Sequence, residues 1–410
     1  MRALIIGASH AGAQLCASLR QEGWDGEILL LGDEPGLPYH RPPLSKTYLS
    51  GKSTMDDLLI RPAEFYAKHD ITFRVGRVAS IDRHAHSVTL TDGEHISYDK
   101  LALCVGARPR QLPISGAELA GVHYLRDAAD IEAIRSSVSA ASRVAIIGAG
   151  YIGLETAASL RKLDVHVTVL ESAERVLQRV TAPEVSAFYS RVHREEGVEL
   201  RTGVAISAIE GDDHVRGVRL ADGELIEADV VIIGIGVVPN TELAEAAGLA
   251  VDDGVIIDHH AVTSDPDIVA AGDCASHFMT RYDRQLRLES VPSAGEQAKV
   301  AAATMCGKDK TVTALPWFWS DQYELKLQIA GLNAGYDDVV LRGDPEAGRS
   351  FACFYFKDDD LIAADCVNRP QEFMFSRRAI GERVPVDKAQ LASPDTALNE
   401  LLKAALANRV

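Results

Sequence analysis

Two clusters of glycine, each followed by an acid, carry the chemistry legible in this 410-residue chain. The clearer one is Gly148, Gly150 and Gly153 in GAGYIG, with Glu171 placed 23 positions after Gly148. G-x-G-x-x-G between an apolar strand and a helix suits a dinucleotide. The first glycine permits the tight turn, the second lets a pyrophosphate approach the backbone, and the third lets helix and strand pack closely. Unpaired N–H groups at the helix start then face the phosphates, and Glu171 can accept hydrogen bonds from a ribose. The alternative, a tight turn in an ordinary α/β unit, requires neither this order of elements nor the terminal acid. A weaker copy occupies GASHAG, with Gly7, Gly12, Ser9 in place of the middle glycine, and Asp33 after the next strand. Ser9 is small, so close phosphate approach remains open. Two such units about 140 residues apart form an internal repeat. One enzyme with two dinucleotide sites passes electrons between two cofactors.

The elements that must position these residues follow from the hydrophobic pattern. Strands are predicted over 3–6 and 28–31 around a helix ending near 22, and over 144–147 and 167–170 around a helix over 151–163. Residues 35–46, PGLPYHRPPLSK, hold four prolines and read as a stiff loop. Such a loop positions side chains, and Arg41 and Lys46 are its candidates; the alternative is solvated loop charge. Short strands over 71–75, 87–90 and 100–104 end at Gly106. The second unit repeats this, with a helix over 182–196, strands over 199–202, 205–210 and 215–220, and a buried run, ADVVIIGIG, ending at Gly236. Asp273 closes the strand DIVAAGD, at the carboxyl end where ligands of an α/β sheet bind; otherwise it caps a helix over 275–279. From about 311 the pattern changes. Strands over 325–330, 339–342, 351–356 and 361–367, a hairpin turn at Asp358-Asp359-Asp360, and helices over 371–381 and 394–407 make a small α+β domain. Ser393-Pro394 suits a helix start. The aromatic cluster PWFWSD at 316–321 is either domain core or a cover for a flat ring.

Composition bounds the rest. The hydrophobic fraction of 47% is that of a globular protein. A net charge of −17 repels nucleic acid and anionic membranes, so neither is expected as a partner. Cys16, Cys104, Cys274, Cys306, Cys353 and Cys366 form no C-x-x-C or C-x₄-C, so no disulfide framework and no metal site is expected. They read as reduced thiols of a cytoplasmic protein. No apolar run approaches the ~18 residues of a membrane helix, and the N-terminal run reads as a strand rather than a signal peptide.

GASHAG, YHRPPLSK, GAGYIGLE, IGIGVVPN, AAGDCA, LESVPSAGEQA and PWFWSDQY, in this order along nearly the whole chain, resemble the FAD- and NADH-dependent ferredoxin reductases of oxygenase systems. This is the putidaredoxin reductase and biphenyl dioxygenase reductase family, of glutathione-reductase-like fold. The resemblance implies an α/β fold with two Rossmann-like βαβ nucleotide-binding domains and a C-terminal α+β interface domain. It divides the chain into a split FAD-binding domain, 1–110 and 241–310, a NAD-binding domain, 111–240, and the C-terminal domain, 311–410. Gly7, Gly12 and Asp33 are implied to hold the ADP half of FAD, with Asp33 preferred to Glu34 for the ribose. Arg41, Lys46, Arg108 and Arg126 match positions lining FAD, and Asp273 matches the aspartate at its ribityl or pyrophosphate region. Val291 matches a residue whose backbone meets the pyrimidine end of the flavin, and Trp319 the aromatic beside the isoalloxazine. Gly148, Gly150, Ile152, Gly153, Glu171, Arg179 and Gly236 go to NADH. A carboxylate at 171 disfavours a 2′-phosphate, while Arg175 and Arg179 nearby work against that preference or bind the pyrophosphate or adenine.

The resemblance also pairs Lys46 with Glu155 near flavin N5, as the residues that tune hydride transfer. A cation there stabilises charge on reduced flavin, and a carboxylate early in a helix is favoured by the dipole; the alternative is a structural salt bridge. Disulfide reductases of this fold need two thiols beside the flavin. Lacking them, this chain is expected to deliver electrons outward, to a [2Fe-2S] ferredoxin serving a ring-hydroxylating dioxygenase or a P450. Ferredoxins are acidic, so a basic docking patch is expected, with Arg369, Arg377 and Arg378 as candidates and solvated helix charge as the alternative. A monomer or weak dimer is expected. The competing readings are a reductase of rubredoxin or another small acceptor, and an apoptosis-inducing-factor-like binding protein with slow redox activity.

Overall fold

The apolar runs flanking the two glycine turns form two parallel sheets of one plan. In the computed structural model, which describes residues 1–407, the first sheet orders its strands Ile268–Ala270, Lys100–Leu103, Arg2–Ile6, Glu27–Gly32 and Ile71–Val75. All neighbours run parallel. The second orders Glu199–Arg201, His166–Leu170, Arg143–Ile147, Val230–Ile233 and Val122–Tyr124, again all parallel. In each, the strand before the glycine turn lies at the centre, the sheet position at which a crossover helix delivers a ligand to the carboxyl edge. Beyond their first residues, Arg2 and Arg143, the central strands are apolar and buried, the pattern of parallel strands covered on both faces.

Contacts divide the chain into two units. The first comprises residues 1–41, 54–108 and 237–314; the second comprises 42–53, 109–236 and 315 onward. In the first, helix His10–Glu22 packs on helix Val291–Met305 through alanines and other small residues. That second helix carries a start signal the hydrophobic pattern alone does not reveal: Ser290 caps it by accepting from the Ser293 N–H, with Pro292 in its first turn.

The C-terminal part of the second unit is an antiparallel sheet ordered Trp317–Gln322, Leu325–Gly331, Asp360–Val367, Phe351–Lys357 and Asp338–Arg342. Four of these strands are those expected; the aromatic cluster is the fifth. Lys357 pairs with Asp360 around Asp358 and Asp359, both at positive φ, which makes the predicted hairpin a two-residue turn. The helix expected from Ser393-Pro394 begins instead at Leu398 and follows a short helix, Lys388–Ala392. The cause is Arg342. Its buried guanidinium donates to the carbonyls of Leu391, Ser393, Pro394 and Thr396, and a helix started at 394 would need the last three for itself. No described helix is long and apolar enough to cross a membrane.

Candidate functional site

In the first unit the turn after Arg2–Ile6 requires its glycines for space. Gly7 has φ 109°, and a Cβ there would lie 2.0 Å from the Cys104 carbonyl oxygen. A Cβ at Gly12 would lie 2.0 Å from the Gly7 carbonyl oxygen. Strand, turn and helix therefore meet with no room for a side chain, and the first-turn N–H groups of the helix point out of the cradle. Ser9, the departure from the glycine pattern, accepts a hydrogen bond from Arg41 Nε at 3.1 Å. Arg41 also pairs with Glu34, which accepts from the Tyr39 hydroxyl as well. The serine is thus tied to a cation rather than crowding the cradle. Glu34 is committed to these partners, whereas Asp33 is exposed at the strand end. The pairing of Leu31 with Ile6 puts Gly32, not Asp33, at the position Glu171 holds in the second unit. A Cβ at Gly32 would lie 2.6 Å from the Ala8 Cβ, so the acid stands one residue further on.

Asp273 lies beyond strand Ile268–Ala270, after Gly272, whose Cβ position is 3.1 Å from the Ala11 Cβ in the fingerprint helix. Residues Ala275–Met279 that follow are a strand, so Asp273 caps no helix there. Val291 is the first residue of its helix and its N–H has no partner within that helix, which suits a backbone contact to a polar ring edge. Arg108 is half-exposed and engaged with Glu242 at 2.6 Å and Asn240 Oδ1 at 2.8 Å.

In the second unit the turn at 148–153 repeats the first. Gly148 has φ 106° with a Cβ position 2.4 Å from the Gly234 carbonyl oxygen, and that of Gly153 is 2.1 Å from the Gly148 carbonyl oxygen. At Gly150 a Cβ would meet no atom within 4 Å beyond its chain neighbours, so packing does not require glycine there. Open space at that position is what a close-approaching pyrophosphate needs. Ile152, one residue into the helix, is 46% exposed, an apolar surface on the fingerprint itself. Glu171 accepts from the Ala149 N–H at 2.7 Å and the Ala173 N–H at 2.9 Å, so it also holds the glycine turn. Arg175 turns away to Ser186 and the Gln178 carbonyl. Arg179 is exposed, its guanidinium 3.9 Å from the Cβ position of Gly236. Of the two arginines, then, it is Arg179 that reaches the glycine end of the neighbouring strand. Arg126 lies beside the start of helix Ala128–Ser137, where its N–H donates to Asp130 at 2.7 Å.

Residues 42–53 contribute the second unit's charged centre. Lys46 lies in a π-helical turn, Leu44–Tyr48, rather than in irregular loop. Pro42 and Pro43 have no N–H, and the Tyr48 N–H reaches back to the Pro43 carbonyl, which widens the turn. Adjacent residues Ser45 and Lys46 thereby both face Glu155. Lys46 Nζ lies 2.6 Å and Ser45 Oγ 2.7 Å from Glu155 Oε2, while Ser320 Oγ donates to Oε1 at 2.6 Å. Ser159, one helical turn beyond Glu155, donates to the Ser45 carbonyl at 2.7 Å and locks the turn to the helix. Lys46 keeps 17% of its side-chain surface and Glu155 only 5%. A buried carboxylate with an ammonium and two hydroxyl donors is satisfied as an anion. Ser45 and Ser320 were not expected from sequence. The available signals were adjacency to Lys46, and the alternation that turns Ser320 inward while Trp319 stays partly exposed.

Trp319 lies 5.6 Å from Trp317, ring centroid to centroid, and Trp317 packs on Phe373 under the Arg377 guanidinium. Arg378 pairs with Glu382 and Arg369 with Glu372, so two of the three arginines considered for docking have their charge offset on their own helix. The described residues contain no cluster of three or more His, Cys, Asp or Glu able to hold a metal. All six cysteines are unbridged and only Cys306 is not buried. Burial pushes Cys16 up to about 12 and Cys274 up to about 11, which keeps these thiols protonated.

Glu171→Gln keeps an acceptor for the turn and removes the charge. The ratio of kcat/KM for NADH over NADPH should fall about tenfold, the worth of one charged hydrogen-bond set. Steady-state assays with both coenzymes check this, and an unchanged ratio removes Glu171 from coenzyme selection.

Comparison with known proteins gives concordant results. Residues 1–298 match the pyridine nucleotide-disulphide oxidoreductase family and residues 317–402 the reductase C-terminal family. The chain is 46% identical to putidaredoxin reductase CamA of Pseudomonas putida, over 98% of its own length and 97% of that protein's. It is 43% identical to rhodocoxin reductase of Rhodococcus erythropolis, over 96% and 93% of the two chains. Its structure is similar to the crystal structure of the covalent putidaredoxin reductase–putidaredoxin complex, with a TM-score of 0.96, 46% identity and 99% of each chain covered.

Proposed function

This chain belongs to the pyridine nucleotide-disulphide oxidoreductase family, and from that premise we propose which residues hold its cofactors and prepare its reaction. The protein is an NADH-dependent, FAD-containing oxidoreductase that passes electrons to a [2Fe-2S] ferredoxin of an oxygenase system. The observation that carries the reading is the duplicated glycine turn, closed to side chains at Gly7, Gly12, Gly148 and Gly153. Bound FAD supplies the capacity to take two electrons as hydride and to give them up singly.

On this proposal the three-domain division inferred from sequence applies, with FAD held by 1–110 and 241–310, NADH by 111–240, and the interface domain formed by 311–410. Gly7, Gly12, Asp33, Arg41, Arg108, Arg126, Asp273, Val291 and Trp319 serve FAD. Gly148, Gly150, Ile152, Gly153, Glu171, Arg179 and Gly236 serve NADH. Support comes from the cradle at Gly7, the N–H of Val291 and the open space at Gly150. Lys46 and Glu155 are assigned the tuning of hydride transfer, with Glu155 holding Lys46 through the 2.6 Å contact. Unbridged, protonated thiols suit electron delivery outward and support a cytoplasmic location.

NADH-driven cytochrome c reduction, with and without an added [2Fe-2S] ferredoxin, tests the reading. Fast turnover only with ferredoxin is expected; equal turnover without it would point to a small direct acceptor. Arg377, the cation over Trp317, has no carboxylate partner on its helix comparable to those of Arg369 and Arg378. Arg377→Glu should raise the KM for ferredoxin about three- to tenfold at low salt, a difference that shrinks as salt rises. Ferredoxin turnover that is unchanged and insensitive to salt would remove Arg377 from the docking surface.

A further inference from the structure

Behind Glu155 the second unit holds a chain of buried side-chain hydrogen bonds. Ser320 Oγ donates to Glu155 Oε1 at 2.6 Å, and Gln322 Nε2 donates to Ser320 Oγ at 3.2 Å. Gln322 Oε1 lies 2.8 Å from His193 Nε2, and the Tyr323 hydroxyl lies 3.1 Å from His193 Nδ1. Ser320, Gln322 and His193 are each at most 1% exposed. Strand alternation sets Ser320 and Gln322 on one face of Trp317–Gln322, and His193 comes from the buried side of helix Pro183–Glu195.

The polarity of the chain is forced from its inner end. An ionised Glu155 only accepts, so Ser320 donates to it and accepts from the Gln322 amide group. Gln322 must then present its carbonyl oxygen to His193, which makes Nε2 the protonated nitrogen and Nδ1 an acceptor for the Tyr323 hydroxyl. Every donor points toward Glu155. Burial drives His193 down to about 4, so the ring stays neutral at working pH and this tautomer persists. An amide in the middle of the chain does not pass a proton onward, so the relay orients and polarises rather than conducts.

We propose that Ser320, Gln322 and His193 are positioning residues for hydride transfer, forming a one-directional relay that holds Glu155 in one rotamer, and through it Lys46. This rests on the reading that Lys46 and Glu155 tune that transfer. The strand carrying Trp319 thereby serves the reaction from both faces: one bears the aromatic assigned to the flavin, the other bears the relay.

Anaerobic stopped-flow reduction of the holoenzyme over a range of NADH concentrations separates the limiting rate from the apparent Kd. Ser320→Ala should lower the limiting rate about three- to tenfold with the apparent Kd unchanged, the scale of one buried hydrogen bond. Ser320→Thr, which keeps the hydroxyl, should recover most of the loss. Gln322→Met, cutting one bond further out, should lose less in the same parameter. Because the relay acts through Glu155, adding Ser320→Ala to Glu155→Gln should cost nothing further. Losses that multiply in the double variant, or a change in apparent Kd alone, would overturn the relay. An unchanged limiting rate in Ser320→Ala and Gln322→Met beside a slowed Glu155→Gln would overturn the relay and leave the role of the pair intact. An unchanged Glu155→Gln would overturn the role of the pair, and the relay with it.

Discussion

Glu155→Gln is expected to slow flavin reduction by NADH on the order of a hundredfold, the loss typical when one preorganised charge is removed from a reacting centre. The substitution keeps the shape of the side chain, and the new amide oxygen can still accept from one hydroxyl. Its amide nitrogen, however, must face a donor: Lys46 Nζ, Ser45 Oγ or Ser320 Oγ, all of which give hydrogen bonds to the carboxylate. Lys46 then loses its counter-charge and keeps its hydrogen bond to the Pro42 carbonyl at 3.0 Å. The alternative, a salt bridge that serves only stability, predicts a different pattern: a lower melting temperature with an unchanged limiting rate. Stopped-flow reduction distinguishes the two, because breaking a buried pair costs roughly 3–5 kcal/mol and lowers the melting temperature whichever role it serves.

Asp365→Asn is expected to stabilise the protein above neutral pH and to do nothing in acid. Asp365 lies on strand Asp360–Val367, 1% exposed, where it accepts from the Tyr355 hydroxyl at 2.5 Å. Burial raises its carboxyl from 3.8 to about 7, with the Tyr355 hydrogen bond acting in the opposite sense. As pH rises from 3.8 toward 7, the unfolded chain gives up this proton and the folded one keeps it. The unfolded state then binds fewer protons, so stability falls with rising pH across that window. At ~1.4 kcal/mol per pH unit the full penalty is about 4 kcal/mol, complete above the folded value. Tyr355 can donate to the amide oxygen just as well, and it keeps the Ala182 N–H that ties helix Pro183–Glu195 to this sheet. Melting temperatures should therefore agree near pH 4 and differ by several degrees at pH 8. The same gap at both values would mean that Asp365 does not titrate in the fold.

The two parallel sheets were legible because their signals are local: apolar runs, glycines at fixed offsets and an acid at the strand end. The internal repeat made each copy evidence for the other. What escaped depended on partners distant in sequence. Lys46 was found within a proline-rich segment, but the π-helical turn that aims it, with Ser45, at Glu155 follows from packing on helix Tyr151–Arg161. The Ser393-Pro394 start signal lost to a guanidinium 51 residues earlier, which claims the carbonyls of that turn. The aromatic cluster at 316–321 is a strand, and its apolar residues obscured the alternation that carries Ser320 and Gln322. Asp33 stands one place beyond the position that matches Glu171, because the Ala8 side chain fills the space a Cβ at Gly32 would need. Helix Val291–Met305 had legible signals in Ser290, Pro292 and its alanines, and was nonetheless not predicted.

Single-turnover electron delivery tests the central claim most directly. Enzyme reduced anaerobically with one equivalent of NADH is mixed with excess oxidised [2Fe-2S] ferredoxin, and reduced iron–sulfur centre is followed by its electron paramagnetic resonance signal. The account predicts two ferredoxins reduced per NADH consumed, at a rate that falls as salt rises. Ferredoxin that stays oxidised, while the same reduced enzyme is reoxidised once oxygen or a small acceptor is admitted, would contradict it.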